Sequence, residues 1–204
     1  VLDLRYNGGG AVSVAEVLGN LLGGIVANGE VFLRLVHNAE NSFRNTTTFF
    51  TPETHSLDLR QIVIITTGAT ASASEIIINS LAPQAPHIDV VTVGATTFGK
   101  PVIQLAFPFC GKIFLPVTAQ GLNADDEGDF FDGIPADCPA ADDLDFALGD
   151  PAEASLAEAL FYLEQGACSV MSAAAKQPPA SRRGVTSRSQ DRHHPLQPPP
   201  DAYF

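Results

Sequence analysis

Only three lysines occur in the 204 residues, Lys100, Lys112 and Lys176, and no lysine or arginine lies between Ile113 and Ala175. Lysine and arginine together number 11, and set against 23 acidic residues they leave a formal charge of −12, with the acids crowded between Asp125 and Glu153. A phosphate-binding surface needs the opposite sign, so the balance disfavours a nucleic-acid partner. The acidic stretch reads as solvated loops. Cysteine is as scarce: Cys110, Cys138 and Cys168 are odd in number and widely spaced, in no metal pattern. None of them follows a strand into a helix of small residues, which disfavours a Cys-His protease. Long apolar runs are missing too. The apolar pattern from Val14 to Ile25 is short and broken by Asn20, Gly23 and Gly24, so no transmembrane segment is expected. No methionine or export signal stands ahead of Val1, and Val1-Leu-Asp-Leu4 begins inside what reads as a strand. The chain is therefore read as a fragment of a longer one, and the lack of a signal says nothing about export.

A serine hydrolase elbow of the Gly-x-Ser-x-Gly type is also absent, yet another hydroxyl-bearing turn is present. Gln61-Ile-Val-Ile-Ile65 is an unbroken apolar run, the mark of a strand buried on both faces. It ends at Thr66-Thr67-Gly68, and Ala69-Thr-Ala-Ser-Ala-Ser-Glu75 then leads into Ile76, Ile77, Ile78 and Leu81. This is a helix start, with Thr70, Ser72 or Ser74 as candidate caps. Small side chains allow a sharp strand-to-helix turn that lifts a hydroxyl beside free backbone N–H groups. The histidines, His37, His55, His87, His193 and His194, sit in polar, turn-like or tail contexts and offer no evident base. A second apolar run, Ile88 to Val93, leads to Gly94-Ala-Thr-Thr-Phe-Gly-Lys100. A lysine between a glycine and the apolar stretch Pro101 to Phe109 is expected to lose solvation and become a usable base near neutral pH. The pairing expected is Ser72 with Lys100.

Three stretches carry a family resemblance: Thr70-Ala-Ser-Ala-Ser-Glu75, Thr97-Phe-Gly-Lys100 followed by Gln104, and the opening Asp3-Leu-Arg-Tyr-Asn-Gly-Gly-Gly10. Together, in this order, they resemble the carboxyl-terminal processing (tail-specific) serine peptidases, peptidase family S41. The resemblance implies Ser72 as nucleophile, Lys100 as base and Gln104 as the group that orients the lysine. It further implies an oxyanion hole from the backbone N–H of Ala73 and of a glycine in the Gly9-Gly10 loop. It implies an α/β fold, a crotonase/ClpP-like spiral core with a mostly parallel twisted sheet flanked by helices, here in an incomplete catalytic domain. The implied substrate is a protein or peptide, with no cofactor and no metal. A periplasmic or cell-envelope location, where one cysteine pair could form a disulfide and leave a third thiol, follows from the same resemblance. One departure is Pro83-Gln-Ala-Pro-His87, which lengthens the segment between serine and lysine and reads as a loop. The residues leave two alternatives open: a scaffold that holds peptide without cleaving it, and an esterase or amidase using the same dyad.

The remaining elements follow from pattern. Val14, Val17, Leu18, Leu21, Leu22 and Ile25 recur at helical spacing, with Ser13 and Glu16 as a capping box and Gly29 as the stop. Val31 to Val36 reads as a strand, and His37 to Leu59 as a polar excursion whose Phe43, Phe49 and Phe50 either flank a substrate groove or tuck under their own loop. Val102 to Phe107 and Lys112 to Val117 read as a hairpin around Pro108-Phe-Cys-Gly111. Asn123 to Asp129 alternates oxygen ligands like a calcium loop, but its twelfth place is Ile134, where a glutamate is needed, so calcium is not expected. Phe130-Phe-Asp-Gly-Ile-Pro135 again resembles the family and is given a packing role. Asp150-Pro-Ala-Glu153 opens a helix whose face is Ala152, Leu156, Ala159, Leu160 and Leu163 and whose stop is Gly166. The expected division is a catalytic domain over 1–170 and a Pro/Arg-rich tail over 171–204 with too little apolar periodicity to pack.

Overall fold

The structure, a computed structural model, describes residues 1–84 and 87–169. The tail, and Ala85-Pro86 of the lengthened loop, lie outside the described residues. Among the described residues the strands and α-helices follow one another as β1 (Leu2–Asp3), α1 (Val12–Gly23), β2 (Val31–His37), β3 (Thr46–Phe49), β4 (Gln61–Thr66), α2 (Ala73–Leu81), β5 (Asp89–Gly94), β6 (Val102–Gln104), β7 (Phe107–Phe109), β8 (Lys112–Phe114), β9 (Val117–Leu122), β10 (Cys138–Pro139) and α3 (Ala154–Gln165). Four of the strands form a parallel sheet in the order β1-β4-β5-β10. The α/β fold with a parallel sheet flanked by helices is thus the one expected. Beside it stands a second sheet, antiparallel, in the order β3-β2-β9-β6.

Side-chain alternation along β4 explains the layers. Ile62 and Ile64 point into one core with Ile76, Ile77, Ile78 and Leu81 of α2, residues of α1, and Phe32, Ile103 and Ala119 of the antiparallel sheet. Val63 and Ile65 point into another, against Ala159, Leu156 and Tyr162 of α3. The order of layers is α3, parallel sheet, α1 with α2, antiparallel sheet. A strand covered on both faces has no wet side, which is why β4 reads as continuous apolar sequence. Helix α2 lies in the middle layer and is buried nearly all round. Each of its isoleucines contributes about 1.5–3 kcal/mol by leaving water. Phe50 belongs to this core, its ring edge-on to Phe32 at 5.2 Å, whereas Phe43 and Phe49 stay exposed. No helix among the described residues is long and apolar enough to cross a membrane.

Four local expectations are corrected. Helix α1 starts at Val12 with Ala11 in the capping position and no side-chain cap, so Ser13 is inside the helix, and it ends at Gly23, well before Gly29. Its Val14 and Val17 face out while Ala15, Gly19 and Leu22 face in, because Gly19 lets the helix settle onto the ring of Phe32. The C-terminal helix begins at Ala154, after Glu153, whose carboxylate accepts from Ser155 N at 3.1 Å and Leu156 N at 2.9 Å; Asp150 closes a preceding turn instead, accepting from Ala152 N at 2.9 Å. Gly166 does end it, at φ 67°. The predicted hairpin is also split differently. Pro116 has no N–H to give a ladder, so the run from Lys112 to Val117 divides: β8 pairs with β7, and β9 pairs with β6 and β2.

Candidate active site

Strands β1, β4 and β5 are neighbours, parallel and level, with Asp3 beside Ile65 and Thr66 beside Gly94. Parallel strands deliver the loops at their carboxyl ends to one rim of the sheet. The three loops are 4–11, 67–72 and 95–101, so the three motifs, far apart in sequence, meet on that rim. Threonines stitch the first two: Thr70 Oγ1 donates to Leu4 O at 2.6 Å, and Thr67 Oγ1 donates to Arg5 O. Asn7 O accepts from Ala71 N at 3.1 Å and from Ser74 Oγ at 3.0 Å.

Ser72 stands at the head of α2 with φ 57° and ψ −117°. Positive φ is uncommon outside glycine, and a strained residue at a strand-to-helix turn is how a hydroxyl is raised above a sheet. What holds it there is Glu75, a residue the sequence reading left without a role. Its carboxylate is fully buried, and Oε2 accepts from Ser72 N at 2.8 Å and from Lys100 N at 2.9 Å. Oε1 accepts from Gly99 N at 2.7 Å and Thr97 Oγ1 at 2.6 Å. One oxygen atom therefore joins the backbone of the serine to that of the lysine. The Ser-x-x-Glu spacing of a capping box was the available signal; it does not tell that the same carboxylate also reaches the next loop.

Lys100 Nζ donates to Gln104 Oε1 at 3.0 Å, and Gln104 Nε2 donates to Leu115 O at 2.9 Å, so the lysine and glutamine are brought together and the amide is held from behind. Lys100 is half-buried and its bond to Gln104 is open to solvent, because β6 is the outermost strand of its sheet.

The glycine loop closes the other side. A Cβ on Gly9, whose φ is +93°, would lie 2.8 Å from Ala73 N and 2.8 Å from Ser72 Cβ, a distance only glycine tolerates. Gly9 N itself donates to Asn7 Oδ1 at 3.0 Å, so of the two glycines Gly10 is the one left to offer an N–H. Among the described residues the N–H groups of Gly10 and of Ala73, first residue of α2, are uncommitted. Beside them opens an apolar pocket of about 200 Å³ lined by Leu4, Val14, Leu18, Ala73 and Ile77 among others. The Phe130–Pro135 stretch packs under the lysine loop: Ile134 N donates to Thr97 Oγ1 at 2.7 Å and Thr97 N to Ile134 O at 3.0 Å. In the calcium-like segment, Asn123 Oδ1 is taken by Asp125 N at 3.0 Å and Glu127 N at 2.9 Å, a turn rather than a ligand set.

The model of peptidase family S41 matches residues 1–140. The chain belongs to that family. No curated protein sequence matches it. Among solved structures, a Bacteroides fragilis protein assigned to the S41 proteases superposes with a TM-score of 0.72 at 27% identity, covering 81% of this chain and 44% of that one. The photosystem II D1 C-terminal processing protease matches with a TM-score of 0.50 at 21% identity, over 67% of this chain and 33% of the other. A Parabacteroides merdae protein described as a peptidase gives 0.54 at 17% identity, over 79% and 50%. The last two show the fold alone. This S41 chain spans half or less of the length of each of these structures.

Proposed function

We propose that the chain is the serine-lysine part of a peptidase that cleaves peptide bonds through an acyl-enzyme. The observation that carries the reading is the Glu75 carboxylate, which ties the backbones of Ser72 and Lys100 to one oxygen while Gln104 holds the lysine amine. In the first step the neutral amine of Lys100 takes the proton of Ser72 Oγ as that oxygen bonds to the scissile carbonyl carbon. The carbonyl oxygen gains the negative charge, and the N–H groups of Gly10 and Ala73 stabilise it. The protonated lysine then donates to the leaving nitrogen as the C–N bond breaks. Water, deprotonated by the same amine, releases the acid from Ser72. The pocket beside the two donors fits an apolar side chain next to the scissile bond. A disulfide joins Cys138 to Cys168 and leaves Cys110 free, which suits a chain that folds in an oxidising compartment such as a cell envelope.

Hydrolysis of an unfolded protein substrate, followed for wild type, Ser72→Ala and Lys100→Ala, tests the proposal. Both variants are expected to retain the wild-type circular dichroism and lose turnover. Retained turnover in either overturns the dyad. Binding of peptide by the wild type without any cleavage makes the chain a peptide-holding scaffold instead.

A further inference from the structure

We propose that the β7–β8 hairpin is a self-association arm whose partner is a second copy of this chain, docked hairpin to hairpin about a twofold axis. The two strands pair only with each other among the described residues, and every strand residue is exposed. Phe107 stands opposite Phe114 and Phe109 opposite Lys112, so three phenylalanines share one face. Phe109 is 74% and Phe114 64% exposed, Leu115 and Val117 continue the apolar surface at the foot of the arm, and Ile113, paired with Pro108, is exposed on its other face. A lone two-stranded hairpin is marginal in water, and a contiguous exposed apolar patch marks an interaction surface.

Charge selects the occupant. From Val90 to Ala124 the sequence holds no aspartate or glutamate and two of its three lysines, whereas the chain as a whole carries −12. The arm is therefore free of the acidic charge that sets two copies against each other, and the charge it brings is Lys112, opposite Phe109 on the same face. An anionic lipid surface would attract Lys112 but repel the acidic body behind it. In a twofold arrangement each arm lays its phenylalanine face on the same face of the other, so both faces leave water together. The arm is also joined to the proposed site: Leu115 O at its foot holds Gln104, which holds Lys100. On the reading given under Proposed function, pairing of the arms steadies that amide, and the dimer is the more active form.

Size-exclusion chromatography with light scattering on the 204-residue chain reads the association without reference to activity. The expected mass is twice 21.5 kDa, and Phe109→Glu with Phe114→Glu is expected to weaken the dimer by roughly tenfold or more. A short bismaleimide should link two copies through Cys110, the exposed free thiol, and this product should vanish in Cys110→Ser. The proposal fails if the mass is that of one chain at about 100 µM, if the double variant dimerises like wild type, or if the monomer binds vesicles of anionic phospholipid through the same phenylalanines. Ser72→Ala, inactive under the proposed mechanism, should dimerise unchanged, so failure of the dyad and failure of the arm are told apart.

Discussion

Four donors converge on two oxygens at Glu75: the N–H groups of Ser72, Gly99 and Lys100 and the hydroxyl of Thr97. A carboxylate has enough lone pairs for all four, and its charge strengthens each bond. A glutamine does not. Its amide offers one acceptor oxygen and places an NH₂ where two N–H groups already point, leaving buried donors facing a donor. Glu75→Gln is therefore expected to lower stability by about 2–3 kcal/mol, read from the urea midpoint. Peptide turnover should fall by roughly a hundredfold, measured where both proteins remain folded, because Ser72 and Lys100 lose their common anchor. A folded Glu75→Gln protein with wild-type turnover would mean that the carboxylate only packs. Ser72 and Lys100 could be proposed from sequence because the small-residue turn, the Thr97-Phe-Gly-Lys100 stretch and the opening glycine motif stand together in the order of the family they resemble. Glu75 could not: three residues after the serine it looks like an ordinary cap, and its reach to the lysine loop exists only once β4 and β5 lie side by side.

At the scale of elements, α3 is held at both ends. Gly166 stops it, and the disulfide from Cys168 to the edge strand β10 follows at once, with Cα atoms 5.3 Å apart and a sequence separation of 30. Closing a loop of that length restricts the unfolded chain by roughly 3.5 kcal/mol. Reduction under otherwise native conditions is expected to lower the free energy of unfolding by about 2–4 kcal/mol, seen as a shift of the urea midpoint with dithiothreitol. No shift would mean that the packing of Ala159 and Leu156 alone holds the helix. The Gly166 stop and the strands β2, β4 and β5 were legible because a glycine stop and short runs rich in Val, Ile and Leu carry local instructions. The start of α3 was not. Asp150-Pro-Ala-Glu153 satisfies the pattern of a helix start, yet Glu153 is drawn into the interior by Arg5, and the first turn follows that tertiary pull. In the hairpin region the apolar run hid a division that the missing N–H of Pro116 imposes.

At the scale of the whole molecule, a buried cation connects the end of β1 to the start of α3. Arg5 is 2% exposed, and its guanidinium lies 2.8 Å from Glu153 Oε1 and 2.8 Å from Asp3 Oδ2. The opening motif thus does more than shape a glycine loop: it ties that loop to α3 through the edge of the parallel sheet, which an Asp-Leu-Arg reading by itself could not reveal. The pair also sets a pH dependence. Burial pushes the Asp3 carboxyl up, but the hydrogen bonds and charge of Arg5 outweigh it and hold the group below its ordinary value of 3.8. A carboxylate held low in the folded state adds stability that is present above the unfolded value and disappears as the pH falls through the folded one. Its side chain is 40% exposed, so solvent screening limits the contribution to about 0.5–1 kcal/mol. Asp3→Asn should accordingly be less stable than wild type by that amount at neutral pH, with the two denaturation midpoints converging as the pH is taken below 3.8. A gap that stays constant from neutral to acid pH would show that the asparagine disturbs packing, and that the ion pair at Asp3 adds nothing of its own.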